Sequence, residues 1–227
     1  QALRFLWNMS FSVTNQMKII DCGGVPQILL TLNLSRGREH AMLHEQGCGV
    51  IRNLATGGAA QKRALYRAAA VPCAIRTLEA YPLDKAVCMQ ASAVLYVLGE
   101  KAPPVAEQAV DEGALRALGI ALRRNTNEDG EIDEALANDI LRAMETVLLS
   151  PRALKTFIKY KVHFFLIELL AKITSSATSS RICRVFAVAL SHHEEDMKGV
   201  LIQVDALESS DDDDSDDDGD TPQAGDP

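Results

Sequence analysis

Five short stretches of this chain lie over one another, and that self-similarity limits the fold more than any other feature. They are residues 2–10 (ALRFLWNMS), 47–55 (GCGVIRNLA), 91–99 (ASAVLYVLG), 140–148 (ILRAMETVL) and 182–190 (ICRVFAVAL). Aligned, they place Asn8, Asn53, Val97, Thr146 and Val188 at one position, with intervals of 45, 44, 49 and 42 residues. A period of this size marks stacked helical or strand-containing units, none of which can bury its apolar face alone. The one long interval holds the polar insert 123–131 (RRNTNEDGE), which a surface loop absorbs.

A second landmark repeats in phase. Residues 23–32, 69–78, 112–121 and 160–169 each begin a short apolar helix. Pro26 and Pro72 fall in a first helical turn, where a missing N–H is harmless, and Pro103, Pro104 and Pro151 are expected to start the helices between. No period-two alternation is sustained, so the chain reads as all-helical. The expected organisation is a repeat domain over 1–204 followed by a tail over 205–227. Within the domain, a partial unit covers 1–12, and full units of two short helices and one long helix cover 15–56, 59–99, 104–149 and 151–191. A last partial or capping helix is expected over 194–204.

Charge is distributed as unevenly as the repeats are even. The net charge is -8, yet eleven of the 31 acidic residues lie in 205–227, which has no basic residue. The other 20 face 23 basic residues, so the body is about +3. The tail, SSDDDDSDDDGDTPQAGDP at its core, repels itself and has little to bury, so disorder is expected. The overall acidity argues against nucleic acid as partner. Apolar runs such as 164–171 fall short of the ~20 residues that span a bilayer, so no membrane role is expected. Five cysteines without a CxxC pair fit buried free thiols in a reducing compartment, cytoplasmic or nuclear.

The pattern resembles the armadillo repeat family over nearly all of 1–204. The strongest piece is HEQGCGVIRNLATGG at 44–58, similar to third-helix sequences of catenin-like proteins, and the turn glycines Gly24 and Gly113 also fit. The HEAT repeat shares the period but has two helices per unit. The resemblance implies a right-handed superhelix whose third helices line a concave groove for extended peptides, without catalysis or cofactor. It also implies that an Asn on the third helix clamps a ligand backbone. An amide can donate and accept at once, which suits both groups of a peptide unit. Asn8 and Asn53, with Arg52 beside the latter, match that position, and the ladder lapses at Val97, Thr146 and Val188.

One turn earlier on the same face stand Arg4, Gly49, Ala93, Arg142 and Arg184. Importin-like members carry Trp there and bind basic signals. Arginines at these positions repel basic peptides and favour carboxylates, so an extended acidic peptide is the expected partner. The alternative is that these arginines only pair with neighbouring carboxylates. The acidic tail is itself a candidate for intramolecular contact with the groove, since a flexible coil of its length spans roughly 25 Å. Ser209, Ser210 and Ser215 each precede an Asp by three residues, the pattern of acidophilic-kinase sites.

Other constellations carry less. His40, His44 and Cys48 recur every four residues as three metal ligands would, but Cys48 shares its register with Ser92 and Cys183, a packing position. No phosphate loop, nucleophile elbow or zinc-protease motif is present, so no enzyme is expected. Trp7, Tyr66, Tyr81, Tyr96 and Phe186 are too scattered for a base-stacking platform. The reading is a protein-binding scaffold or adaptor, the C-terminal part of a longer solenoid. A regulatory repeat arm of a larger enzyme, such as a kinase, and an importin-like transport adaptor are the alternatives.

Overall fold

The computed structural model describes residues 1–35 and 37–192. The helix expected over 194–204, the tail 205–227 and its three serines lie outside the described residues. Among the described residues the chain forms thirteen α-helices and one short 3-10 turn, and no strand. Helix α1 (Ala2–Met9) stands alone. It is followed by α2 (Val13–Asp21), α3 (Gly24–Leu34) and α4 (Ala41–Ala55), then by α5 (Ala59–Arg67), α6 (Ala70–Ala80) and α7 (Lys85–Gly99). The third set is α8 (Pro103–Asp111), α9 (Ala114–Arg124) and α10 (Glu134–Leu148). The fourth is α11 (Ala153–Lys159), α12 (Val162–Lys172) and α13 (Ser176–His192).

One backbone device recurs in every set. The first and second helices are separated by a left-handed residue: Gly23, Ala69, Gly113 and Lys161, with φ of 74, 65, 81 and 53°. Each is followed at once by a second helix of 11 residues. Glycine takes this conformation freely, whereas an L side chain costs on the order of 1 kcal/mol, which packing must offset at Ala69 and Lys161. Gly24, expected at the turn, has a different task. A Cβ there would stand 2.7 Å from the Ile19 carbonyl oxygen, so its lack of a side chain permits close approach of α2 and α3.

The third helices pack side by side in the order α1, α4, α7, α10, α13, and the first and second helices cover their other side. Asp84 and Asp133 cap α7 and α10 by accepting from Val87 and Leu136 backbone N–H groups at 3.1 and 3.0 Å. Gly47 makes room for α3, since a Cβ would meet the Leu32 side chain at 2.7 Å. That contact offsets the helix cost of glycine, about 1 kcal/mol. The repeat register is also a burial register: Val50, Val94, Ala143 and Val185 are all fully buried. Phe5 holds the same position on α1 and is 63% exposed, because no second helix precedes α1 among the described residues.

Two helix starts depart from the sequence expectation. The third helix of the first full unit does not run unbroken from 39. A 3-10 turn at Arg38–His40 precedes α4. The loop before it is pinned, with the Tyr81 hydroxyl donating to the Gly37 carbonyl at 2.8 Å and His44 Nε2 bonded to the Ser35 carbonyl at 2.9 Å. Pro151 does not begin α11 but stands in the turn before it, where Ser150 Oγ accepts from the Arg152 N–H. Pro103 does occupy the first position of α8.

Candidate functional site

The third helices present the ladder positions on one face, but those positions differ sharply in how they are engaged. Asn53 on α4 is only 6% exposed. Its Nδ2 donates to Ser10 Oγ at 3.0 Å, and its Oδ1 accepts from Arg52 Nε and a terminal guanidinium nitrogen at 3.4 and 3.3 Å. Ser10 in turn donates to the Trp7 carbonyl at 2.7 Å. Asn53 therefore fastens α4 to the end of α1 while Arg52 occupies its oxygen, and three of the amide's four bonding sites are already used, leaving one N–H. Asn8, at the same register on α1, is exposed.

Trp7 packs into the space left by Gly49, where a Cβ would stand 2.5 Å from the indole. Its Nε1–H is buried without a partner, as is Gln90 Oε1 on α7. Buried unpaired donors are costly and uncommon, so the Trp7 N–H is available to an acceptor that reaches it. Arg4 lies apart from the other arginines. It lines a cavity of about 650 Å3 between α1 and α3.

The centre of the face is charged and mixed in sign. The Arg142 guanidinium on α10 stacks over the Tyr96 ring of α7, 4.0 Å from its centroid. Asp139, one turn before Arg142, lies within the fields of both Arg142 and Arg52. Burial nevertheless pushes its carboxyl above the ordinary aspartate value, against the pull of the two arginines. Burial and Asp139 likewise push the Tyr96 phenol up.

Toward the C-terminal end, Arg142 and Arg184 share a cavity of about 540 Å3, between α7, α10 and α13. Glu145 anchors it, accepting from Arg181 at 3.2 Å and standing 3.9 Å from Arg184 Nε. Arg184 is thus loosely paired and keeps an exposed side chain, as does Arg142. Sequence reasoning named Arg142 and Arg184 but missed Arg181, Glu145 and Tyr96. Arg181 lies one turn before Arg184 in the same register, so extending the ladder by one more turn finds it. Tyr96 was dismissed as a scattered aromatic, yet it precedes the ladder residue Val97 as Arg52 precedes Asn53.

The tempting metal stripe is otherwise engaged. His44 uses Nε2 on the Ser35 carbonyl and Nδ1 on Thr77 Oγ1 at 3.1 Å. A carbonyl can only accept, so Nε2 carries the proton and Nδ1 accepts from the hydroxyl. Burial pushes the His44 pKa down, keeping the ring neutral. The buried Cys48, Cys73 and Cys88 thiols are all pushed up by burial, Cys73 to about 11 and Cys88 to about 12. Among the described residues no group of three or more His, Cys, Asp or Glu side chains could hold a metal ion, and no helix is long and apolar enough to cross a membrane.

No protein-family model matches the sequence, and no curated protein does. Solved structures do. An engineered protein from the Northeast Structural Genomics Consortium aligns with a TM-score of 0.68 and 21% identity, over 92% of this chain and 82% of its own. A second engineered protein from the same consortium aligns at 0.72 and 22%, over 88% of this chain, which spans just under half of it (46%). A designed armadillo repeat protein in complex with the peptide (KR)4 aligns at 0.68 and 18%, over 94% of this chain and 85% of its own. At these identities the likeness is one of fold. The repeat units form an armadillo-like solenoid.

Proposed function

We propose that this armadillo-like solenoid is a non-catalytic scaffold or adaptor that binds an extended, acidic peptide along the face lined by its third helices. The observation that carries this reading is the pair of exposed arginines, Arg142 and Arg184, sharing one cavity with Arg181 on that face. Tyr96 holds the Arg142 plane in place, so part of the ordering cost of carboxylate binding is met before the ligand arrives. A basic peptide would face these cations, which argues against an importin-like role. The (KR)4 peptide belongs to the designed neighbour and carries no weight for this groove. Asn8 and the remaining capacity of Asn53 would take the peptide backbone, with Arg52 beside them and Arg4 at the far end.

The test is fluorescence anisotropy with a labelled peptide alternating Asp and Ala. Arg142→Glu with Arg184→Glu weakens binding roughly 100-fold at low salt, and the loss shrinks as salt rises. Unchanged affinity contradicts the reading. The acidic segment 205–227 would compete for the same cations, so its deletion tightens binding of the labelled peptide. An unchanged affinity on deletion removes that competition but leaves the groove reading intact.

A further inference from the structure

The cavity between α7, α10 and α13 carries more positive charge than a carboxylate peptide needs. Among the described residues four cations line it, Arg142, Arg181, Arg184 and Lys101, against two carboxylates, Glu100 and Glu145. Glu100 is already engaged by Lys62, which lies outside the cavity lining, at 3.4 Å. Within the lining Glu145 then faces four cations, and Asp139, outside it, lies in the field of Arg142. Glu145 is also shared, with one oxygen 3.2 Å from Arg181 and 3.9 Å from Arg184. Arg142 has no carboxylate partner within ion-pair distance among the described residues, and is held by the Tyr96 ring.

Lys101 is the one cation of the four that stands on a turn rather than on a helix. Among the described residues three non-glycine residues adopt positive φ, namely Ala69, Lys101 and Lys161. Ala69 and Lys161 hold the turn position that Gly23 and Gly113 hold in the other units. Lys101 instead takes the third position of a type II turn after α7, closed by the Ala102 N–H on the Gly99 carbonyl at 3.0 Å, and lines the cavity.

We infer that this cavity seats the phosphate monoester of a phosphorylated serine or threonine on the groove-bound peptide. The inference rests on the groove reading and deepens it. A carboxylate offers one negative charge and two oxygens, which a single guanidinium satisfies in bidentate fashion. A phosphate monoester offers about -1.5 to -2 charges and three terminal oxygens, which suits several converging cations. Glu145 holds the arginines apart and neutralises part of their charge until the phosphate arrives.

The experiment uses the whole chain and three peptides alternating Asp and Ala, with a central serine, aspartate or phosphoserine, at matched ionic strength. The phosphoserine peptide binds at least about tenfold more tightly than the other two. Arg142→Gln and Lys101→Gln erase that gain, with circular dichroism confirming that both variants fold. Glu145→Gln acts in the opposite direction and tightens the phosphoserine peptide further, an outcome that a misfolded cavity cannot produce. Equal binding of the phosphoserine and aspartate peptides overturns the inference and leaves the acidic groove standing. Failure of all three peptides to bind overturns the groove reading as well.

Discussion

The two ends of the third-helix face occupy the same repeat positions and do different things with them. At the N-terminal end, α4 spends its ladder residue Asn53 on Ser10 at the end of α1 and on its own Arg52, while Asn8 of α1 stays exposed. At the C-terminal end, α10 and α13 leave Arg142 and Arg184 exposed over an open cavity. A repeat frame thus fixes where a side chain stands but not what it is free to bind. An amide at a clamp position serves as a fastener when the neighbouring unit offers it a hydroxyl.

The comparison breaks most visibly in peptide affinity. Charge reversal at Arg142 and Arg184 weakens an acidic peptide roughly 100-fold, whereas Asn8→Ala with Asn53→Ala weakens it less than about tenfold, both by anisotropy. Equal losses from the two double variants would mean that the ends contribute alike. In stability the order reverses. Gly49→Ala drives a methyl into the Trp7 indole and costs about 1–3 kcal/mol in urea denaturation. The same register on α7 already holds a buried alanine, Ala93, so only the N-terminal end is sensitive there.

Acid acts on a buried histidine at each end. Burial lowers the pKa of His44 and His163 below the ordinary 6.5. A histidine depressed in the folded state contributes stability above pH 6.5, and that contribution is lost as pH falls below it, because the unfolded chain takes up the proton first. Glu45 and Asp139 act in the opposite sense at lower pH, since burial raises both carboxyls. His163 packs against Phe157 and Phe164 with its Nδ1 unpaired. His163→Phe therefore flattens the decline in urea midpoint between about pH 7 and 5, and an unchanged slope contradicts its assignment as a neutral buried ring.

Thiol reactivity gives a smaller contrast. Cys22 and Cys183 are exposed, while Cys48, Cys73 and Cys88 are buried with raised pKa values. In the native protein a thiol reagent labels the two exposed cysteines first, and the other three follow only on unfolding. The smallest effect belongs to the exposed Arg152–Asp111 ion pair, whose removal leaves the melting temperature unchanged.

The stacking of helical units was legible because each one reuses small and apolar residues at fixed spacing. The left-handed turn was legible only where glycine fills it, as at Gly113. Ala69 and Lys161 reach the same backbone through packing, which leaves no mark in residue type. The partners of the candidate site were hidden for another reason, since they sit one unit away. Asn53 finds Ser10 43 residues upstream, Asn33 finds Arg76 43 residues downstream, and Glu145 finds Arg181 36 residues downstream. Pairing polar residues roughly one repeat apart would have exposed these links, whereas reading each helix by itself could not. Charge at Arg142 and Arg184 was visible in sequence, but the Tyr96 ring that orients the first of them was not.

The proposed seat of the peptide is the third-helix face, and its C-terminal half above all. Hydrogen exchange with the acidic peptide present and absent tests it most directly. Added protection is expected on α7, α10 and α13, with α5, α8 and α11 unchanged. Protection confined to those first helices, or to none, would contradict it.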